Sequence, residues 1–176
     1  MTKAPQKFTY KITVIGDGAV GKTSLIKKFS KGSFQEDYIK TIGAQFSTYT
    51  EIIDGNECTL FLWDIAGQDD FFFLRPAFYK ETRGAIIVYS VEDNEHGLQS
   101  RSHIREWHDD IKKFCGKIPT ILFANKIDLV DNVDLSLVEK VVQKRNFLGV
   151  YPTSAKTGDG VSNAFHRIIR EIHYSK

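Results

Sequence analysis

The run Gly16-Asp17-Gly18-Ala19-Val20-Gly21-Lys22-Thr23 carries the spacing GxxxxGK[ST]. Residues of these types at this spacing suit one task, the cradling of phosphate groups. Glycines let successive backbone N–H groups turn inward around an anion, and a helix that starts where the loop ends adds positive potential. Lys22 is spaced to reach the outer phosphates of a nucleoside triphosphate. Thr23, followed by Ser24, offers a hydroxyl to Mg²⁺.

Such a loop does not name the base. Asn125-Lys126-Ile127-Asp128 follows an apolar run at 120–123. A buried Asp128 carboxylate there can accept two hydrogen bonds, from N1–H and N2–H₂ of guanine, and adenine presents no such donor pair. Ser154-Ala155-Lys156 follows the last strand-like segment, where a backbone N–H can meet the guanine O6. A third segment, Trp63-Asp64-Ile65-Ala66-Gly67-Gln68, ends another strand-like run. Asp64 is placed as a carboxylate for Mg²⁺, Gly67 as an N–H donor to the γ-phosphate, and Gln68 to orient water. Thr41, in the irregular stretch 33–42, can reach the metal and the γ-phosphate. The metal set is therefore Thr23, Thr41 and Asp64, and the reacting set Lys22, Thr41 and Gln68.

These residues need elements to hold them. Residues 8–15, 45–53, 57–63, 85–89, 120–123 and 147–151 read as strands. Residues 22–30, 104–114, 135–143 and 161–172 repeat apolar residues at helical spacing, and 64–76 is irregular and then helical. Asp54-Gly55 between two alternating runs is a hairpin signal, so those strands are antiparallel. The runs at 85–89 and 120–123 are apolar throughout, as in parallel strands buried on both faces. Strands alternating with helices make an α/β fold, a mostly parallel sheet whose ligand sits at the carboxyl ends of the strands.

Composition supports a cofactor-sized ligand over a polymer. The chain has 176 residues, expected to form a single domain over 1–176. Its 24 Lys+Arg against 22 Asp+Glu give a formal charge of +2, too balanced for a dedicated nucleic-acid binder. Cys58 and Cys115 lack metal-ligand spacing and are expected as reduced thiols. His166 and His173, seven residues apart, are expected as surface residues. No apolar run reaches the ~18 residues of a membrane span. Thr2 excludes N-myristoylation, and the end His173-Tyr174-Ser175-Lys176 holds no prenylation cysteine. The expectation is a cytoplasmic monomer that meets membranes only through a partner or a tail missing from this chain.

Taken together, GDGAVGKT, Thr41, DIAGQ, NKID and SAK occur in the order and spacing of the Ras superfamily of small GTPases, which the chain resembles from about Lys7 to Tyr174. The resemblance implies a P-loop G domain, with a six-stranded sheet containing one antiparallel strand and five flanking helices. It implies GTP and GDP as ligands with Mg²⁺. It also implies that Phe34, seven residues before Thr41, packs edge-on to guanine, and that the Lys126 stem covers the base while its amine tethers the phosphate loop. Thr41-Ile42-Gly43-Ala44-Gln45-Phe46 and Gly84-Ala85-Ile86-Ile87-Val88-Tyr89 look Rab-like, whereas Leu74-Arg75-Pro76 looks Rho-like. Asp69-Asp70 stands where Glu-Arg is usual. The partners implied are a GTPase-activating protein, an exchange factor and effectors, which meet the mobile loops and an aromatic triad matching Phe46, Trp63 and Phe78. Phe71-Phe72-Phe73 is unusual, because three consecutive residues on a helix cannot all face inward.

The reading is a GTP-hydrolysing switch with slow intrinsic turnover. Tyr38 occupies the position where Gα proteins carry a catalytic arginine, so an arginine must come from a partner. One alternative is an interaction protein that binds nucleotide with negligible hydrolysis; loss of Gly18, Thr41 or Gln68 would favour it, and all three are present. Another is a P-loop kinase, which would carry an arginine-rich lid and lack NKID.

Overall fold

β-branched and apolar residues dominate β1 (Lys7–Ile15), and its inner half is fully buried. The computed structural model, which describes residues 4–34, 41, 43–67 and 73–175, places this strand inside a six-stranded sheet of order β2-β3-β1-β4-β5-β6. β2 (Ala44–Ile53) and β3 (Asn56–Ile65) pair antiparallel, with Phe46 opposite Trp63 and Ile53 opposite Asn56. Asp54 and Gly55 between them both have positive φ, 50° and 78°, as a two-residue hairpin turn requires. β4 (Gly84–Ser90), β5 (Thr120–Asn125) and β6 (Val150–Thr153) continue the sheet in parallel. Every residue of β4 and β5 is buried, which is why these strands read as apolar runs without alternation.

Helices cover both faces. α1 (Lys22–Lys31) and α6 (Val161–Tyr174) bring Leu25, Ile26, Phe165, Ile168 and Ile169 onto Ile12, Leu62, Val88 and Phe123. On the other face α2 (Arg75–Tyr79), α4 (Ile104–Cys115) and α5 (Ser136–Lys144) bring Tyr79, Trp107, Ile111 and Val138 onto Ile65, Ile87 and Leu122. α3 (Glu95–Ser102) runs into α4 through His103, whose N–H bonds the Gln99 carbonyl at 3.1 Å and whose carbonyl accepts from the Trp107 N–H at 3.1 Å. Counting that bent pair as one body, five helices flank the sheet among the described residues, as the resemblance implies.

Three local expectations change. α3 is absent from the periodicity reading because it carries no apolar stripe. Its contacts are polar and close: Ser100 Oγ accepts from the Ser90 N–H at 3.1 Å, and a Cβ on Gly97 would come within 2.0 Å of the Glu92 carbonyl oxygen. The last strand is Val150–Thr153 and not 147–151, because Phe147 is drawn off as a buried partner of the His108 ring, 4.8 Å away. His173 is not a surface residue; it lies buried, with Nδ1 2.9 Å from the Tyr10 hydroxyl and 3.5 Å from Cys58 Sγ. His166 reaches Glu51 at 3.1 Å. Neither Cys58 nor Cys115 is joined in a disulfide among the described residues. Among the described residues no helix is long and apolar enough to cross a membrane.

Candidate functional site

The carboxyl ends of β1, β3, β5 and β6 each open into one of the segments singled out from the sequence. Residues 16–21 link β1 to α1. Gly16 has φ 140°, and a Cβ there would meet the Val88 carbonyl oxygen at 2.2 Å, so only glycine lets the loop leave the sheet at this point. Ala19 adopts φ 57°, a left-handed conformation unusual for a residue with a side chain. Within the loop Lys22 is buried, and its Nζ donates to the Gly16 and Asp17 carbonyls at 2.8 and 2.6 Å. Burial lowers its pKa to about 8, against the pull of Asp64 and Asp17. A buried cation whose hydrogen bonds, among the described residues, go to carbonyl groups is poised to gain from an anion.

Thr23, Thr41 and Asp64 converge although they come from three different segments. The Thr23 hydroxyl donates to Asp64 Oδ2 and lies 3.0 Å from Thr41 Oγ1, and the Thr41 hydroxyl lies 3.3 Å from the same carboxylate oxygen. Asp64 is buried, and Oδ1 has no hydrogen-bond partner among the described residues. Burial raises its carboxyl above the usual range despite those hydroxyls and the charge of Lys22. An orphaned carboxylate oxygen beside two hydroxyls fits a hard divalent cation, and this oxygen donor set suits Mg²⁺. Gly67 packs directly on the phosphate loop: a Cβ there would fall 2.3 Å from the Gly16 oxygen and 2.6 Å from the Gly18 nitrogen.

Asn125 ties the loops together. It is buried; its amide donates to the Val20 carbonyl at 2.8 Å, and its oxygen accepts from Thr153 Oγ1 at 3.2 Å and from the Ala155 N–H at 3.3 Å. Gly21 makes room for it, since a Cβ there would lie 2.3 Å from Asn125 Nδ2. Asp128, by contrast, is exposed and not buried as the sequence suggested. The short 3-10 turn Ile127–Leu129 projects it from the loop, where Oδ1 accepts from Ser154 Oγ at 2.6 Å. Lys126, in a left-handed conformation, pairs with Glu92 at 2.6 Å instead of reaching the phosphate loop. Phe34 is half-buried against the α1–α6 core. Lys156 is exposed.

Three side chains that the sequence did not single out contact the phosphate loop: His96 of α3, His103 between the helices, and Trp107 of α4. His96 Nε2 lies 2.7 Å from the Gly18 carbonyl oxygen, and Asp17 is met by His103 and Trp107. Their spacing of seven and four residues is one helical stripe, yet it carries neither a charge nor an apolar pattern that would mark it. Beside the site, Phe46 is 60% exposed and stacks on half-buried Trp63 with centroids 5.7 Å apart. Phe78, also half-buried, lies 6.2 Å from Trp63, and Lys11 Nζ sits 4.0 Å over the indole. Gln68 lies outside the described residues, as do Tyr38, Ile42, Asp69, Asp70, Phe71 and Phe72; Phe73 is 64% exposed.

A family model described as the Ras family matches residues 11–174. Ras-related protein Rab-18-B of Danio rerio is 35% identical over 168 residues, covering 93% of this chain and 79% of that protein. Ras-related protein Rab-1 of Theileria annulata is 37% identical over 168 residues, covering 94% and 74%.

Proposed function

This chain belongs to the Ras family, and from that premise we propose that it is a Rab-like switch in membrane trafficking or related signalling, folded as a single G domain over residues 1–176. As a member of that family it binds GTP and GDP with Mg²⁺, hydrolyses GTP, and works through regulators and effectors. We infer the roles of the individual residues, the partner face and a cytoplasmic, monomeric state.

The observation that carries it is the meeting of Thr23, Thr41 and Asp64 around an orphaned carboxylate oxygen. Those three would hold Mg²⁺, which neutralises charge on the β- and γ-phosphate oxygens. Thr41 belongs to the first irregular loop and Gly67 opens the second, so a γ-phosphate bonded to both draws the two loops onto residues 16–23. Hydrolysis removes those bonds and releases the loops. Lys22 supplies a buried cation for the outer phosphates, and the loop's backbone N–H groups supply the cradle. Gln68 orients the attacking water. Asp128, with one oxygen oriented by Ser154, reads the guanine edge. The Ala155 backbone, Lys126 and Phe34 enclose the base, while Asn125 fixes the loops that carry them. With tyrosine at position 38, the completing arginine comes from an activating partner.

Phe46, Trp63 and Phe78 form the face offered to effectors, between the two loops whose state the nucleotide sets. Aromatics of this kind dominate interface energies. Negligible hydrolysis is the less favoured reading, because the chain keeps the residues that hydrolysis needs. Amide hydrogen exchange compares the two states: the segments around Thr41 and Gly67 should be protected with a non-hydrolysable GTP analogue and open with GDP. Equal exchange in both would contradict the switch. For the trafficking assignment, Gln68→Leu and Thr23→Asn forms, each tagged in cells, should differ. The first should concentrate on organelle membranes, and a uniform distribution of both would overturn that assignment.

A further inference from the structure

Asp17 sits at the head of the phosphate loop, but only its backbone faces the cradle. Its carbonyl accepts from Lys22 Nζ at 2.6 Å. Its carboxylate turns the opposite way, onto the helix pair α3–α4. Trp107 Nε1–H donates to Oδ1 at 2.7 Å, and His103 Nδ1 lies 2.7 Å from Oδ2. One residue on, His96 Nε2 meets the Gly18 carbonyl oxygen at 2.7 Å. Carbonyl and carboxylate oxygens accept and do not donate, so His96 carries a proton on Nε2 and His103 on Nδ1. Three donors from one helical stripe thus hold two consecutive residues of the loop.

The hold extends further. The Trp107 ring carries the Arg75 guanidinium on its face, 4.3 Å from the centroid. Arg75 is the first residue of α2, and its Nη1 donates to Asp110 Oδ2 at 3.2 Å; the Tyr79 hydroxyl lies 3.4 Å from that same oxygen. A continuous set of contacts therefore runs from Asp17 through Trp107 and Arg75 to the helix that follows residues 68–72. A charge-assisted pair of hydrogen bonds is directional, so it fixes the carboxylate and, through one Cα, the peptide planes on either side.

We propose that His103 and Trp107 are positioning residues for GTP hydrolysis and nucleotide release: by holding both oxygens of Asp17 they set the backbone at Gly16–Gly18 that lines the phosphates. The stack of Arg75 on Trp107 couples that backbone to α2. The hydrolytic half rests on the GTPase reading above; the release half needs only nucleotide binding.

The test separates donors from bulk. Trp107→Phe removes the N–H and keeps a ring for Arg75. His103→Leu removes the donor, whereas His103→Asn returns an amide N–H at the position of Nδ1. Single-turnover GTP hydrolysis, release of a fluorescent GDP analogue and melting temperature are measured on each, with Mg²⁺ present. Trp107→Phe and His103→Leu should each change hydrolysis and release about 3–10-fold, and His103→Asn should return both to within about twofold of the parent. In an Asp17→Ala background neither substitution should add more than about twofold, because both act through Asp17. Equal behaviour of His103→Leu and His103→Asn, or full effects persisting in the Asp17→Ala background, would overturn the proposal. If Asp17→Ala does not fold, the His103 pair decides alone. A parent that binds GDP yet leaves GTP intact would sink the GTPase reading instead, and the release rates would still judge the positioning.

Discussion

Replacing Asn125 by alanine strips three groups of their partner at once: the Val20 carbonyl, the Thr153 hydroxyl and the Ala155 N–H. The site is buried, so solvent replaces none of them well. At ~0.5–1.5 kcal/mol for each bond, and more where a buried group stays unsatisfied, the loss is ~2–4 kcal/mol. Part of it falls on folding, because Asn125 ends β5 and Thr153 ends β6. The rest falls on nucleotide affinity, because Val20 lies in the phosphate loop and Ala155 in the base loop. Urea denaturation of the nucleotide-free protein and GDP release from the loaded protein should together account for this loss. A shift of ~2 kcal/mol in affinity alone is ~30-fold in Kd. Gly21→Ala pushes a Cβ to 2.3 Å from Asn125 Nδ2 and should reproduce much of the defect. Combined with Asn125→Ala it should cost less than the two single changes summed, because the clash is already gone. A combined stability and affinity loss below ~0.5 kcal/mol for Asn125→Ala would refute the claim that this amide fastens the loops.

Three other outcomes concern the base loop, the aromatic face and His108. Asp128→Asn should move preference from guanine to xanthine nucleotides, read by competition binding, since the new amide donates to a C2 carbonyl; unchanged preference would remove Asp128 from base reading. Trp63→Ala should cost an effector of the GTP-loaded protein ~2 kcal/mol or more, measured by titration calorimetry, and an unchanged Kd would make that face structural. His108 is held below the usual imidazole pKa by burial first, then by the Arg145 cation 3.1 Å away. Charging it therefore opposes folding, so unfolding free energy should fall as pH drops through ~6.5. Arg145→Met should raise the His108 pKa in an NMR titration.

The phosphate loop, the hairpin and the helices with apolar stripes were legible because each depends on local chemistry. Glycines at fixed offsets, Asp54-Gly55 with both φ positive, and Ile104, Trp107 and Ile111 on one face are written within a few residues. α3 was not legible. It packs through Gly97 and Ser100, whose contacts lie in the chain before it, and only Asn94, which accepts from the Gly97 N–H at 2.9 Å, marked its start. Exposure misled at Asp128, where the turn and not the residue type sets solvent access. The anchoring of Asp17 by His103 and Trp107 joins residues 86 and 90 positions apart, and nothing local in either segment announces the other.

GTP hydrolysis and the choice of base can be measured together in one tube. Purified protein is mixed with radiolabelled GTP and Mg²⁺ in single turnover, with Gln68→Leu alongside and unlabelled ATP as competitor, and the products are separated. GDP and phosphate should appear at ~10⁻⁴–10⁻³ s⁻¹, the scale of unassisted Ras hydrolysis. The Gln68→Leu form should be slower, and a hundredfold excess of ATP should leave the rate unchanged. Intact GTP after hours with the parent, or ATP displacing GTP within tenfold of its own affinity, would contradict a guanine-specific GTPase.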